Sequence, residues 1–328
     1  MQSVSIIIPV YNSEKTITAC LQSIFDSISQ NDEVILVNDC STDSTVSLAS
    51  DFNIQIISLI KNSGPSTARN AGAEMATNEI LVFVDSDMII SKESLDRIKS
   101  YFHVRHKVQS LTLNFAIDYR NVNYATRYKS HYMSYVTKNN TTKVNYIYGA
   151  YCATRKDGFI KWPENIRYTE DSRWGYIQSK MGYEIHCLHE VNAIHLKNYS
   201  LRSLIKNDLN IAFHFCDKFL NEKRWLTSIV NEEFGHTSKK QMLSVILSVI
   251  SLFSLGISFN LFWFLVLLWG CVNLNFFTYI SKHNSSSFIL KTILWYYVIN
   301  LTYGVGIIFG MSMYAVEILF PSNVKQVL

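Results

Sequence analysis

The stretch Ile80-Leu81-Val82-Phe83-Val84-Asp85-Ser86-Asp87 decides how this chain is read. Its first five residues are β-branched, aromatic or aliphatic, and they predict a short strand buried on both faces. Two carboxylates follow with one residue between them. On an extended segment side chains alternate in direction, which would aim Asp85 and Asp87 to one side. Neighbouring carboxylates repel unless a cation or hydrogen-bond donors balance them. The pair therefore points to a divalent metal holding a phosphorylated ligand. The plain alternative is an Asp-rich turn with one Asp capping the next helix.

Upstream, the pattern alternates between strand and helix. Val4–Ile8, Glu33–Val37 and Ile54–Leu59 read as strands. Helical patterns follow at about Glu14–Ile28, Thr42–Ser50 and Ser66–Met75. Strands separated by helices predict an α/β fold, a Rossmann-like, mostly parallel sheet with helices on both faces. Such sheets bind ligands beyond the carboxyl ends of their strands. Here those ends are Pro9-Val10-Tyr11-Asn12, Asn38-Asp39, Lys61-Asn62-Ser63-Gly64 and Asp85-Ser86-Asp87, all polar or conformationally special. From Ser110 to Ile194 the pattern is mixed and rich in tyrosine.

Downstream, the composition changes. The chain has 328 residues and a formal charge of +4, too small to indicate nucleic-acid binding. From Gln241 to Ser281 no residue is charged. As a helix this stretch would measure ~60 Å, against ~30 Å of bilayer hydrocarbon. Two spans turning near Gly256-Ile257-Ser258-Phe259-Asn260 fit, and Thr292–Val316 can supply a third. The expected spans are 242–257, 260–280 and 292–316, in a membrane domain over 240–320 that follows a soluble domain over 1–225. Lys239, Lys240, Lys282 and Lys291 place the soluble domain on the cytoplasmic side. Gly306 and Gly310 sit in the third span, where small residues let helices approach closely, within one chain or in a homo-oligomer. Leu201–Leu220 is amphipathic, either an interfacial helix or a helix packed on the domain. Arg224-Trp225 reads as an interfacial anchor. The six cysteines show no metal-like spacing, and Met1-Gln2-Ser3 does not open a signal peptide.

Five segments, in order, carry a resemblance. They are Val4–Asn12, Val37–Asp43, Asn62–Gly72, Asp85-Ser86-Asp87 and Thr169-Glu170-Asp171. With them the chain resembles the inverting glycosyltransferases of family 2, over about Val4 to Leu201. The resemblance implies a GT-A fold, here with C-terminal transmembrane helices. It implies that Pro9, Tyr11 and Glu14 border the nucleobase and ribose, and that Asp39 accepts a hydrogen bond from the base, commonly uracil. Arg69 would balance the nucleotide's charge and Asp85 would contact the nucleotide. Asp87 would ligate Mg²⁺ or Mn²⁺, whose hard character suits carboxylate oxygen. Cys40 stands where the family commonly has glycine. Gly149-Ala150 resembles the segment lining the acceptor cleft.

The resemblance also assigns chemistry. A sugar hydroxyl is a poor nucleophile, so a general base must take its proton. That base corresponds to Asp171, unless Glu170-Asp171 merely opens a helix capped by Thr169. Some relatives place a metal- or phosphate-binding histidine near His195, although a lone histidine beside apolar residues is more often structural. The expected function is transfer of a sugar from a nucleotide-sugar donor, UDP-linked by resemblance, to a lipid or lipid-linked glycan acceptor at the cytoplasmic membrane face. Alternatives are a polyprenyl-phosphate glycosyltransferase and a non-catalytic sugar-nucleotide-binding membrane subunit.

Overall fold

The structure is a computed structural model. It describes residues 2–118, 120, 122–138, 142–164, 166, 168–221 and 238–319. Arg224 and Trp225 lie outside the described residues. The chain forms two compact units, Met1–Asn198 and Tyr199–Leu328.

The first unit is built on one twisted sheet. Strands β1 (Val4–Val10), β2 (Glu33–Asn38), β3 (Gln55–Ser58) and β4 (Ile80–Val84) run parallel. Beyond β4 come β8 (Tyr151–Arg155), β6 (Val108–Phe115), β9 (Glu184–His195) and the two-residue β5 (Met88–Ile89). The order is β3-β2-β1-β4-β8-β6-β9-β5, with β7 (Lys143–Val144) on β9. The four sequence-predicted strands and the three helices between them are all present. β8 runs antiparallel to β4 and β6, which makes the sheet mixed past β4.

Period-two alternation builds two cores. Ile6, Ile8 and Val10 face helices α1 (Ile17–Phe25), α2 (Thr45–Ala49) and α4 (Lys92–Val104). Ile7, Val37, Leu81 and Phe83 face α3 (Pro65–Met75) and α6 (Glu170–Lys180). Hence Ile6–Ile8 of β1 and all of β4 read as unbroken apolar runs: each residue has a core to face. Gly72 lets α3 lie directly on the sheet, because a Cβ there would overlap the Ile7 side chain. α5 (Tyr124–Lys138) contacts β6 and β9. Since β1 sits between β2 and β4, crossovers leave it in both directions, and a crevice opens at its carboxyl end.

The second unit holds α7 (Leu201–Asn221), α8 (Lys239–Ser254), α9 (Phe259–Val272), α10 (Leu274–Ser281) and α11 (Ser286–Leu319). α7 packs along α11, with Leu204 and Ala212 buried. A Cβ on Gly306 would lie 2.7 Å from Ala212 Cβ, so glycine is what allows that approach. Within the unit polar side chains are buried beside apolar ones such as Leu247, Trp269, Phe276 and Ile280, and many large apolar side chains are exposed. Ser244, Ser248, Ser251, Asn273 and Asn300 are buried, while Ile250, Phe253, Phe264, Leu267 and Phe309 are exposed. Ser251 Oγ and Tyr297 Oη lie 2.7 Å apart, and Asn273 Nδ2 donates to Ser244 Oγ at 2.8 Å. Among the described residues, Ser286–Val316 is long and apolar enough to cross a membrane. Phe259–Val272 and Leu274–Ser281 qualify together, across a 60° bend. The expected span 242–257 corresponds to α8, whose 16 residues reach ~24 Å.

Candidate active site

The crevice at the β1 and β4 ends is a cleft of about 1090 Å³. Its walls include Pro9, Tyr11, Glu14, Asp39, Asp85 and Asp87, six of the nine residues singled out from the sequence. Tyr11 is half exposed and offers a ring face there. Asn12 takes a left-handed φ of 49° and ties β1 to the next loop: its Oδ1 accepts from Thr42 N at 2.8 Å. Cys40 has φ 64°, a region that favours glycine, which accounts for the residue the family commonly places there.

Asp39 is buried and holds a loop in place. Its two carboxylate oxygens accept from Ser63 N at 2.7 Å and Gly64 N at 2.8 Å. Glu14 and Asp43 brace the β1 and β2 loops reciprocally. Glu14 N donates to Asp43 at 3.2 Å, and Ser44 N donates to Glu14 at 3.3 Å. Burial works to raise the Asp43 carboxyl, but hydrogen bonds from Thr45 bring it below its ordinary value.

Asp85-Ser86-Asp87 is a tight turn and not an extension of β4. Met88 N donates to Asp85 O at 3.0 Å and closes it. Strand alternation therefore stops at Val84, and the two carboxylates reach different partners. Asp85 accepts from Arg69 Nη2 at 2.7 Å. Asp87 Oδ2 lies 3.1 Å from His195 Nε2. Burial pushes the Asp85 carboxyl up, Arg69 opposes this, and Asp87 adds to the rise. Burial would raise Asp87 as well, but the His195 hydrogen bond, with the charges of His195 and Lys197, holds it below its ordinary value. Ser86 and Ser13 hydroxyls, 2.7 Å apart, join this turn to the β1 loop.

His195 reaches this turn because β9 pairs antiparallel with β5, setting Met88 opposite His195. Two donors bound to one octahedral cation at about 2.1 Å lie about 3.0 Å apart. The Asp87–His195 separation matches that edge; the carboxylate oxygen suits Mn²⁺ or Mg²⁺, while an imidazole nitrogen is the weaker part of such a set. Among the described residues no third protein ligand completes the set. A phosphate-bearing ligand would supply the remaining oxygens.

Arg69 stands behind the cleft wall, 2% exposed. Its Nη2 engages Asp85 and its Nη1 lies 3.5 Å from Glu170. The guanidinium lies over the Trp162 ring at 4.5 Å, and Trp162 stacks on Trp174 at 3.9 Å. Burial works against its charge, while Asp85 and Glu170 together hold it protonated. Arg69 links Asp85 to the acidic pair from behind the cleft wall.

That pair opens α6. Thr169 occupies the cap position with φ 61° and makes no side-chain cap bond, so capping does not account for the sequence there. A β-branched residue in this region is strained. Asp171 accepts from Gly149 N at 3.1 Å and from Ser172 N at 2.6 Å. Gly149 fits tightly: a Cβ there would lie 3.1 Å from Asp171 Cβ and 3.2 Å from Arg69 Nη2. Burial first, and then the Asp171 charge, push Glu170 up to about 7, with Arg69 opposing.

Residues 5–162 match the family model described as glycosyl transferase family 2. Residues 5–162 form a glycosyl transferase family 2 domain. Curated relatives agree with that membership. TarS of Staphylococcus aureus, a poly(ribitol-phosphate) beta-N-acetylglucosaminyltransferase, is 38% identical over 113 residues, covering 32% of this chain and 20% of that protein. A poly(ribitol-phosphate) beta-glucosyltransferase of Bacillus spizizenii is 39% identical over 102 residues, covering 29% of this chain and 16% of that protein. The matched stretch thus spans at most a fifth of these two relatives. Among solved structures, a Pyrobaculum calidifontis mannosyltransferase in complex with GDP-Man and Mn²⁺ has a TM-score of 0.56 at 16% identity. The likeness covers 98% of this chain and 88% of that one, and it establishes a GT-A fold.

The family match ends at residue 162, before Glu170, Asp171 and His195. Sequence reading missed Trp162, the floor under Arg69, and Lys197 on the cleft wall. Neither has a local signal, since each acquires its place through long-range packing.

Proposed function

We propose that this family 2 glycosyltransferase is an inverting, metal-dependent enzyme. It moves a sugar from a nucleoside-diphosphate donor, UDP-linked by the resemblance, to a hydroxyl of a lipid-linked or polymeric glycan. One observation carries this reading. Five carboxylates (Glu14, Asp39, Asp43, Asp85, Asp87) and two lysines (Lys15, Lys197) are among the described residues lining the cleft. An anionic diphosphate would be repelled from such walls without a bound cation. Asp87 and His195 would hold that cation, and when bound it offsets charge on the departing diphosphate.

Tyr11, Pro9 and Glu14 border the nucleobase end of the cleft. Asp39 acts there by fixing the Ser63-Gly64 loop, and Asp85, held from behind the cleft wall by Arg69, contacts the donor. Asp171 takes the acceptor hydroxyl's proton. Its bonds from Gly149 N and Ser172 N orient the carboxylate and leave lone pairs for that proton. Attack opposite the leaving group inverts the anomeric centre. Relatives named for transfer to poly(ribitol-phosphate) support a hydroxyl acceptor. A polyprenyl-phosphate acceptor would need no base.

The exposed apolar surface of the second unit supports integration in a bilayer, with apolar side chains toward lipid and hydroxyls and amides bonded between helices. The basic residues flanking the apolar stretches support a cytoplasmic catalytic unit. The deciding experiment offers a panel of nucleotide sugars to the purified chain and records nucleotide release with hydroxyl-bearing and polyprenyl-phosphate acceptors. Release with the hydroxyl class supports the reading. Release with the phosphate class alone replaces it with the polyprenyl reading, and donor binding without release favours a non-catalytic subunit.

A further inference from the structure

α8 and α9 form a hairpin whose two ends differ. Asn273 Nδ2 donates to Ser244 Oγ at 2.8 Å, which sets the close of α9 beside the opening of α8 and makes the two helices antiparallel. At that mouth stand Lys239 and Lys240, both exposed, with Lys282 one short helix further on. The turn between Ser254 and Phe259, at the other end, carries no charge. Phe253, Ile257 and Phe259 are exposed there, Ile257 to 81%. The turn nonetheless answers its own polar groups. Gly256 N donates to Phe253 O at 3.3 Å, and Ile257 N and Ser258 N donate to Ser254 O at 2.9 and 2.8 Å. Ser254 Oγ donates to Ser251 O at 2.7 Å, and Ser258 Oγ accepts from Leu261 N at 3.4 Å. A turn that ends in water needs neither an apolar rim nor bonds closed within itself. A turn that ends in hydrocarbon needs both.

Length points the same way. Beyond the Asn273–Ser244 bond, α8 continues to Ser254 for ~15 Å and α9 measures ~21 Å, against ~30 Å of bilayer hydrocarbon. At Asn273 the chain bends by 60° into α10 and does not run straight on. Resting on the bilayer reading above, we infer that the α8–α9 hairpin is a re-entrant wedge. It enters the bilayer from the side of Lys239 and Lys240, ends among the lipid tails and returns to the same side. Its partner is the acyl region of the bilayer, and the lysines at its mouth complement anionic headgroups. The expected spans 242–257 and 260–280 are then two arms of one insertion, and α11 makes the full crossing among the described residues.

The test treats the full chain, in sealed membrane vesicles of either orientation, with a membrane-impermeant maleimide. The variants are Ile257→Cys, Phe259→Cys and Lys240→Cys, each read above the labelling of the unaltered chain. Two turn positions guard against one variant that fails to insert. Both should react from neither face, to at most about a tenth of their labelling in dodecyl sulfate, while Lys240→Cys reacts from one face. Reaction of the turn from the face opposite Lys240→Cys would show two full crossings, overturning the inference and leaving the bilayer reading standing. Reaction from the same face as Lys240→Cys also overturns it, because the turn then lies outside hydrocarbon. If alkaline carbonate releases the chain, the bilayer reading falls and takes this inference with it.

Discussion

Asp171 and Glu170 are adjacent in sequence yet differ in surroundings, and each makes its own prediction. Asp171→Asn keeps an oxygen for the Gly149 N–H and removes the proton acceptor. Turnover should fall about a hundredfold to ten-thousandfold with donor affinity preserved, measured as kcat and donor KM. Retained turnover would remove Asp171 from the base role. Glu170 holds its proton more tightly in the folded protein, at about 7, than at its ordinary 4.5. Its contribution to stability is therefore full below pH 4.5 and lost as pH rises toward 7. Glu170→Gln should match the wild type at low pH and exceed its stability at pH 8 by about 1–3 kcal/mol, read as a melting-temperature difference that widens with pH. A difference independent of pH would contradict the burial that raises Glu170. Thr169 shows the limit of reading residues singly. From sequence it is a good helix cap, but its left-handed backbone and lack of a cap bond appear when the acidic pair is held against Gly149 and Arg69.

Elements were legible where periodicity is strong. Ile6–Ile8 of β1, Val34–Val37 of β2 and all of β4 are apolar because both sheet faces are covered, and the helices between them carry the matching stripes. Legibility failed at Asp85-Ser86-Asp87. The strand ends one residue before the pair, and the Met88 N to Asp85 O bond turns the chain. The carboxylates still meet in one cleft, because β4 stands at the crevice beside β1 and β5 returns His195 to Asp87. Close helix-on-sheet packing adds a prediction. Gly72→Leu would force a side chain into Ile7 and should destabilise the first unit by about 2 kcal/mol, lowering its melting temperature by about 5 °C. An unchanged melting temperature would show that α3 can lift from the sheet. Glycine 72 belongs to a quoted motif, yet the reason for it, the space over Ile7, belongs to the packed element.

At the scale of the molecule, two compact units differ in what they expose. The first buries aliphatic strands; the second buries serines and asparagines beside apolar side chains and exposes many leucines and phenylalanines. The chain should remain in the membrane pellet after alkaline carbonate extraction, and release into the supernatant would contradict integration. A chelator should abolish sugar transfer, with activity restored by Mn²⁺ or Mg²⁺; full activity in chelator would remove Asp87 and His195 from a metal role. By itself the sequence determined the α/β alternation, the crevice at the strand ends and the apolar C-terminal stretches, because periodicity and hydropathy are local properties of a chain. Tertiary structure decided which carboxylate meets which cation. Arg69 lies 16 residues from Asp85 and about a hundred from Glu170, and His195 lies 108 from Asp87. No local pattern encodes those pairings, because they arise when the β4 turn, α3, α6 and β9 converge on one end of the sheet.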